Sequence, residues 1–153
     1  MATLITDELK SQIGRETPPY EFRVELGDVL RYSRMVGHPE PWYADERRAR
    51  ASRYGGIVAP PTYLIVMRNL EHKAFASIGI TFPYPHGVDG RSEWDYLEPI
   101  RPGDTIVAVA RIAEYHERDT RLGPTLFQVI ESVYRNQFGE VVVRQRDTRI
   151  WYP

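Results

Sequence analysis

The chain has 153 residues, with 20 Lys and Arg against 21 Asp and Glu, for a formal net charge of −1. That balance gives no overall field to draw in nucleic acid or an anionic membrane. The absence of cysteine excludes disulfides, a thiolate nucleophile and a Cys-based metal site. The length suits one domain spanning residues 1–153, and the hydrophobic fraction of 42% and charged fraction of 27% are ordinary for a soluble globular protein. The opening Met-Ala-Thr-Leu-Ile-Thr-Asp-Glu has neither the basic nor the apolar region of a signal peptide. No apolar run approaches the roughly 18 residues of a membrane span. A cytoplasmic protein is expected.

In chain order, Asp7–Ile13 can form a short helix, and the prolines at Pro18 and Pro19 force the following stretch to be extended. Tyr20–Val24 alternates apolar and polar residues, which predicts a strand. Asp28–Val36 reads as a helix with Val29, Leu30, Tyr32, Met35 and Val36 on one broad face, ended by Gly37. A Pro-punctuated loop leads to a short Arg-rich helix over Asp45–Arg53, and Gly55–Gly56 makes a turn. Pro61 is a good first helical residue, because its missing N–H has no helical partner anyway. The helix it opens is apolar nearly all round over Tyr63–Met67, which predicts burial, and becomes amphipathic toward Ala76.

Gly79–Gly90 is rich in Pro and Gly and reads as a loop. Strands are predicted over Ser92–Glu98, Asp104–His116, Thr125–Arg135 and Glu140–Trp151, the last two joined at Asn136–Gly139 as a hairpin. In the longest of them Ile106, Ala108, Ala110 and Ile112 share one face. His72 and His116 read as surface residues of a helix and a strand. Trp94 and Tyr96 suit a subunit contact. The order of elements gives an α+β class with an antiparallel sheet that covers one long buried helix.

The stretch from Gly37 to Thr62 is too irregular for simple packing, and loops held by rigid elements are where sites tend to lie. Its frame of Gly37, Pro41, Asp45, Ala49, Tyr54 and Val58 resembles the hydratase motif of the MaoC-like (R)-specific enoyl-thioester hydratase/dehydratase family, Gly-Asp-x-Asn-Pro-x-His-x-Asp. Ala59-Pro60-Pro61-Thr62, in place of the family's His-Gly helix start, is most similar to the branch of MaoC N-terminal dehydratase domains. His86-Gly87 followed by Pro99-x-x-Pro-Gly-Asp104 looks like the family's second landmark. The resemblance covers most of the chain and implies a single hot-dog fold, an antiparallel sheet wrapped around a long central helix.

The frame is present and the family's reactive residues are replaced. The catalytic Asp falls on His38, the Asn on Glu40, the catalytic His on Tyr43 and the helix-start Gly on Pro61. In the family, the Asp and His activate a water while a backbone N–H at the helix start polarises the thioester carbonyl. Such an oxyanion donor is worth about 10²–10³ in rate. A phenol is a poor base at neutral pH, and proline has no N–H to offer. Histidine is the side chain suited to proton transfer near neutrality, so His38 and Tyr43 are the candidate catalytic positions. Glu40 beside His38 makes a possible dyad.

The resemblance further implies substrate contacts at Glu40, Gly56, Ile57, Ala59, Pro60 and Thr62. Arg53, in a helix also carrying Arg47, Arg48 and Arg50, can meet coenzyme A phosphates or form a solvated face. His86, in the predicted loop, can overhang a neighbour's tunnel or be an ordinary loop residue. No histidine pair has zinc-site spacing, so no metal is assigned. No cofactor is expected beyond a coenzyme A thioester as part of the substrate.

Three readings follow. The chain is the non-catalytic or assisting subunit of a heteromeric enoyl-CoA hydratase/dehydratase in fatty acid or steroid side-chain metabolism. It shapes the acyl tunnel while a catalytic MaoC-like chain supplies Asp and His. Alternatively it is a homodimeric hydratase with a rearranged site using His38, or a non-enzymatic hot-dog module that binds acyl-CoA. The partners expected are an acyl-CoA-type small molecule and a second hot-dog subunit, alike or different, without nucleic acid or membrane.

Overall fold

The computed structural model describes residues 3–38, 40–80 and 84–153. The helices are α1 (Asp7–Gln12), α2 (Leu26–Val36), α3 (Glu46–Ala51) and α4 (Arg68–Ser77), with 3-10 turns at Pro41–Tyr43 and Tyr63–Met67. The strands are β1 (Tyr20–Arg23), β2 (His86–Tyr96), β3 (Thr105–Thr120), β4 (Gly123–Arg135) and β5 (Val141–Tyr152). They form one antiparallel sheet in the order β1-β3-β4-β5-β2.

Period-two alternation builds the inner face. Ile106, Ala108, Ala110 and Ile112 of β3 are fully buried, as are Leu126, Ile130 and Tyr134 of β4 and Val143 of β5. Against them pack Tyr63, Leu64, Met67 and Phe75 from the central helical segment. Register shifts between Ile112 and Glu114, between Tyr134 and Arg135, and between Asp89 and Arg91 add bends. Such bulges help a sheet curl around a helix. The hairpin from β4 to β5 closes at Asn136, whose side chain accepts from the N–H groups of Phe138 and Glu140.

Local signals hold at several ends. Thr6 caps α1 by accepting from the N–H of Leu9, and Asp45 caps α3 by accepting from the N–H of Arg48. Gly37 ends α2 in the left-handed region, at φ 69°. Other expectations need correction. The helix predicted from Pro61 is not one α-helix. Its first part is a 3-10 turn in which Tyr63 N–H donates to the Pro60 carbonyl (2.9 Å) and Ile65 N–H to the Thr62 carbonyl (3.2 Å). Each of these N–H groups reaches back three residues and not four, which is the tighter 3-10 pattern. In consequence Tyr63, Leu64 and Met67 point inward, while Ile65 and Val66 stay 41% and 39% exposed.

The loop expected over Gly79–Gly90 ends sooner, because β2 begins at His86. Pairing with β5, not the strand's own alternation, decides this. Gly87 lies opposite Trp151, where an added Cβ would come within 2.5 Å of the indole ring, and Gly90 faces Ile150 in the same way. The glycines that read as loop formers make room for large cross-strand side chains. Pro39 and residues 81–83 lie outside the described residues. His72 also differs from the surface reading: it is half-buried on α4. Burial first, then the Arg149 and Arg68 charges, lower its pKa to about 4.

Candidate functional site

The site is assembled from the end of α2, the loop after it, and the start of the central helical segment. Gly37 turns the chain so that His38 N–H donates to the Ser33 carbonyl (3.2 Å). The Pro41–Tyr43 turn then brings Tyr43 back under His38. Their rings meet edge to face with centroids 5.0 Å apart. Tyr43 is buried, and His38 is partly covered. Glu40 Oε2 lies 3.5 Å from His38 Nδ1, beyond a normal hydrogen bond. That oxygen is closed off from solvent and has no hydrogen-bond partner. The fold thus brings together His38, Glu40 and Tyr43, the three loop positions singled out from sequence.

The next stretch is fastened from two sides. Val58 N–H donates to the Trp42 carbonyl (3.2 Å), and Ala59 N–H donates to the Ile100 carbonyl (2.8 Å). The second bond joins the two landmarks seen in the sequence, the Ala-Pro-Pro-Thr run and the Pro99–Asp104 corner. Ile57 and Ala59 belong to the core, Pro60 is buried, Gly56 is half-buried and Thr62 is exposed. At the helix start Pro61 has no N–H, and the N–H of Tyr63 is taken by Pro60. The N–H of Thr62 makes no hydrogen bond among the described residues. Tyr32, from α2, places its hydroxyl 2.9 Å from both the carbonyl and the side-chain oxygen of Thr62.

Sequence reasoning missed a group of tyrosines behind this loop. Tyr32 meets Tyr63 edge to face at 5.4 Å. Tyr96, at the end of β2, has a buried hydroxyl without a partner. Burial first, then Tyr32 and Tyr43, push its phenol well above the usual range. Burial likewise raises Tyr63 to about 12, with Asp28 and Glu25 adding to it. Buried polar atoms in native proteins are nearly all hydrogen-bonded. Here Glu40 Oε2, Trp42 Nε1 and the Tyr63 and Tyr96 hydroxyls are buried without such a partner among the described residues. The signal in the sequence was only the number of tyrosines, which does not tell which of them meet.

Two candidates stand apart. Arg53 lies over the Tyr54 ring, 4.8 Å from its centroid, and donates to the Tyr54 hydroxyl (2.6 Å). Its neighbours Arg48 and Arg50 pair with Asp45 and Glu46 on the surface of α3. His86 stacks on Tyr152 at the far end of β2 from Tyr96. Ten strand steps of about 3.3 Å separate it from Tyr96 by roughly 33 Å, so the chain does not bring it to His38. Among the described residues no group of three His, Cys, Asp or Glu is arranged to hold a metal ion. No helix there is long and apolar enough to cross a membrane.

A cleft of about 210 Å³ opens beside Thr62 and Tyr32, between the 3-10 turn and β2. A larger hollow of about 670 Å³ lies over Val107, Val109 and Val133 of β3 and β4 and does not include the loop residues.

A curled five-stranded antiparallel sheet around a central helical segment is the hot-dog fold of MaoC-like hydratases and dehydratases. The sequence matches the FAS1-like dehydratase domain region over residues 11–145, and the chain belongs to that family. Among curated relatives, a UPF0336 protein of Streptomyces avermitilis is 28% identical over 108 residues, covering 67% of this chain and 70% of the relative. A UPF0336 protein of Clavibacter michiganensis is 25% identical, with 95% of each chain covered.

Among solved structures, the truncated HadBC (3R-hydroxyacyl-ACP dehydratase) complex of Mycobacterium tuberculosis aligns with a TM-score of 0.76 at 22% identity, over 91% of this chain and 96% of the other. The ChsH1-ChsH2 complex of the same organism gives 0.71 at 22% identity, over 90% and 85%. A MaoC-like dehydratase of Rhodospirillum rubrum gives 0.66 at 21%, over 92% of both chains.

Proposed function

We propose that this chain, as one hot-dog domain, is the assisting half of a heteromeric cytoplasmic hydratase/dehydratase acting on acyl thioesters. A second hot-dog chain provides the Asp and His that activate water. This chain contributes wall and shape to the acyl site in fatty acid or steroid side-chain metabolism. The observation that carries the proposal is the state of the helix start. Pro61, which the resemblance aligns with the family's helix-start Gly, has no N–H to donate, and the neighbouring Tyr63 N–H is already bonded to Pro60. A hydratase half without the dyad and without an N–H at that position keeps the fold but not the family's way of stabilising a developing oxyanion. That two of the similar structures are complexes of differently named chains supports the same reading.

A second reading is favoured by two contacts. His38 lies against Glu40, and the Thr62 N–H is unspent, so a homodimer with a rearranged site has one proton carrier and one donor available. Hydration of crotonyl-CoA and of a longer 2-enoyl-CoA, followed by loss of the enoyl thioester absorbance, separates the two. The proposal expects no turnover by the purified chain. It expects turnover when the chain is assembled with a hot-dog partner carrying the Asp/His pair, unchanged by His38→Ala. Turnover by the chain alone that disappears in His38→Ala overturns it in favour of the rearranged site. Acyl-CoA binding with no turnover in either setting favours a binding module.

A further inference from the structure

The cleft beside Thr62 has a direction. In a 3-10 turn, residues three apart lie one above the other, and Thr62, Ile65 and Arg68 accordingly line one wall. The other wall is β2, read backwards as Trp94, Ser92 and Asp89. The end nearest the candidate site is aromatic and apolar, formed by Tyr32, Ile65 and Trp94. The far end is charged. There the Arg68 guanidinium is held by Asp89 and lies 3.4 Å from Asp147. Asp147 is almost wholly buried and also accepts from the Ser92 hydroxyl. Behind it, Glu71 of α4 and Arg149 of β5 form an ion pair that is itself buried. The cleft therefore ends against paired charge and not against an apolar surface.

We infer that this cleft is the acyl subsite of the chain and that Arg68, fixed by Asp89 and Asp147, is its end wall, which restricts the ligand to a short acyl group. The inference rests on the acyl-thioester reading above. The cleft, at about 210 Å³, has room for an acyl group of a few carbons. A longer tail has to displace Arg68 and leave the Asp147 carboxylate buried without its cation, which is strongly unfavourable. Ile65 is exposed because it faces this cleft, and it sets the width of the apolar half.

The test is calorimetric binding of crotonyl-, 2-octenoyl- and 2-dodecenoyl-CoA to the full chain. The wild type should bind the four-carbon thioester at least tenfold more tightly than the twelve-carbon one. Arg68→Met combined with Asp147→Asn removes both charges together, so that no buried ion is orphaned, and should reverse or abolish that preference. Ile65→Trp, at an exposed position, should weaken crotonyl-CoA at least tenfold with an unchanged melting temperature. Equal or tighter binding of the longest thioester by wild type, or a chain-length preference unaltered in the folded double variant, overturns the end wall and leaves the acyl-thioester reading standing. No binding of any of the three overturns the subsite, and turnover by the assembled pair then decides the acyl-thioester reading separately.

Discussion

The hydroxyl of Tyr32 lies 2.9 Å from the carbonyl oxygen of Thr62 and 2.9 Å from its side-chain oxygen, and so ties α2 to the start of the central helical segment. One phenolic proton can serve only one of these acceptors at a time, with the Thr62 hydroxyl able to donate in return. Tyr32→Phe removes this tie and keeps the ring contact with Tyr63. The expected loss is about 0.5–1 kcal/mol, read as a lower urea midpoint with an unchanged slope.

Glu71 and Arg149 form an ion pair with side chains 4% and 5% exposed. Burial works against the charged carboxyl and raises its pKa, while the guanidinium opposes that shift. Breaking such a pair leaves a lone buried charge. Arg149→Met is expected to cost about 3–5 kcal/mol. Glu71→Met in the same chain should return most of it, since paired apolar replacements of buried ions are often neutral. Chemical denaturation of the two single variants and the double variant checks this as a cycle.

His72 gives a pH dependence with a definite sign. Its folded pKa is lowered from 6.5 to about 4, so between these values the unfolded chain binds more protons than the folded one. Stability from this group is therefore complete above about pH 6.5 and falls as the pH drops toward 4. His72→Gln removes that component. The melting temperature of wild type should decline more steeply than that of the variant from pH 7 to pH 4, and parallel curves would contradict the assignment.

Gly87 sits where the Trp151 ring crosses β2, with room for no Cβ. Gly87→Ala is an overpacking change expected to cost about 1–3 kcal/mol. Trp151→Leu in the same chain should relieve part of the strain. Thermal melts of the single and double variants measure the coupling.

Much of the fold was legible because its signals are local. The alternation over Ile106–Ile112, the Asn136–Gly139 turn, the Asp45 cap and the Gly37 stop all act within a few residues, and each element lies where those signals put it. The first half of β2 was not legible, since Gly87 and Gly90 take their meaning from Trp151 and Ile150, sixty or more positions away. The 3-10 start of the central segment was hidden as well. Pro61 reads equally well as the first residue of an α-helix, and only the bonds accepted by Pro60 and Thr62 distinguish the two. At the candidate site, the residue types at His38, Glu40, Tyr43 and Pro61 were visible from the frame, but their distances were not.

By itself the sequence determined which residues stand in the frame that resembles the hydratase motif, because identity at a spacing is a one-dimensional fact. It also determined an antiparallel sheet, because a period of two is a property of neighbours. Only the tertiary structure decided how those residues and their surroundings are arranged in space. It brought the tyrosines of α2, the loop and β2 together. It paired Glu71 with Arg149 beneath the helix and set Arg68 between two aspartates from different strands. Those arrangements depend on the curl of the sheet and on which side chains it excludes from water, and no window of adjacent residues contains either.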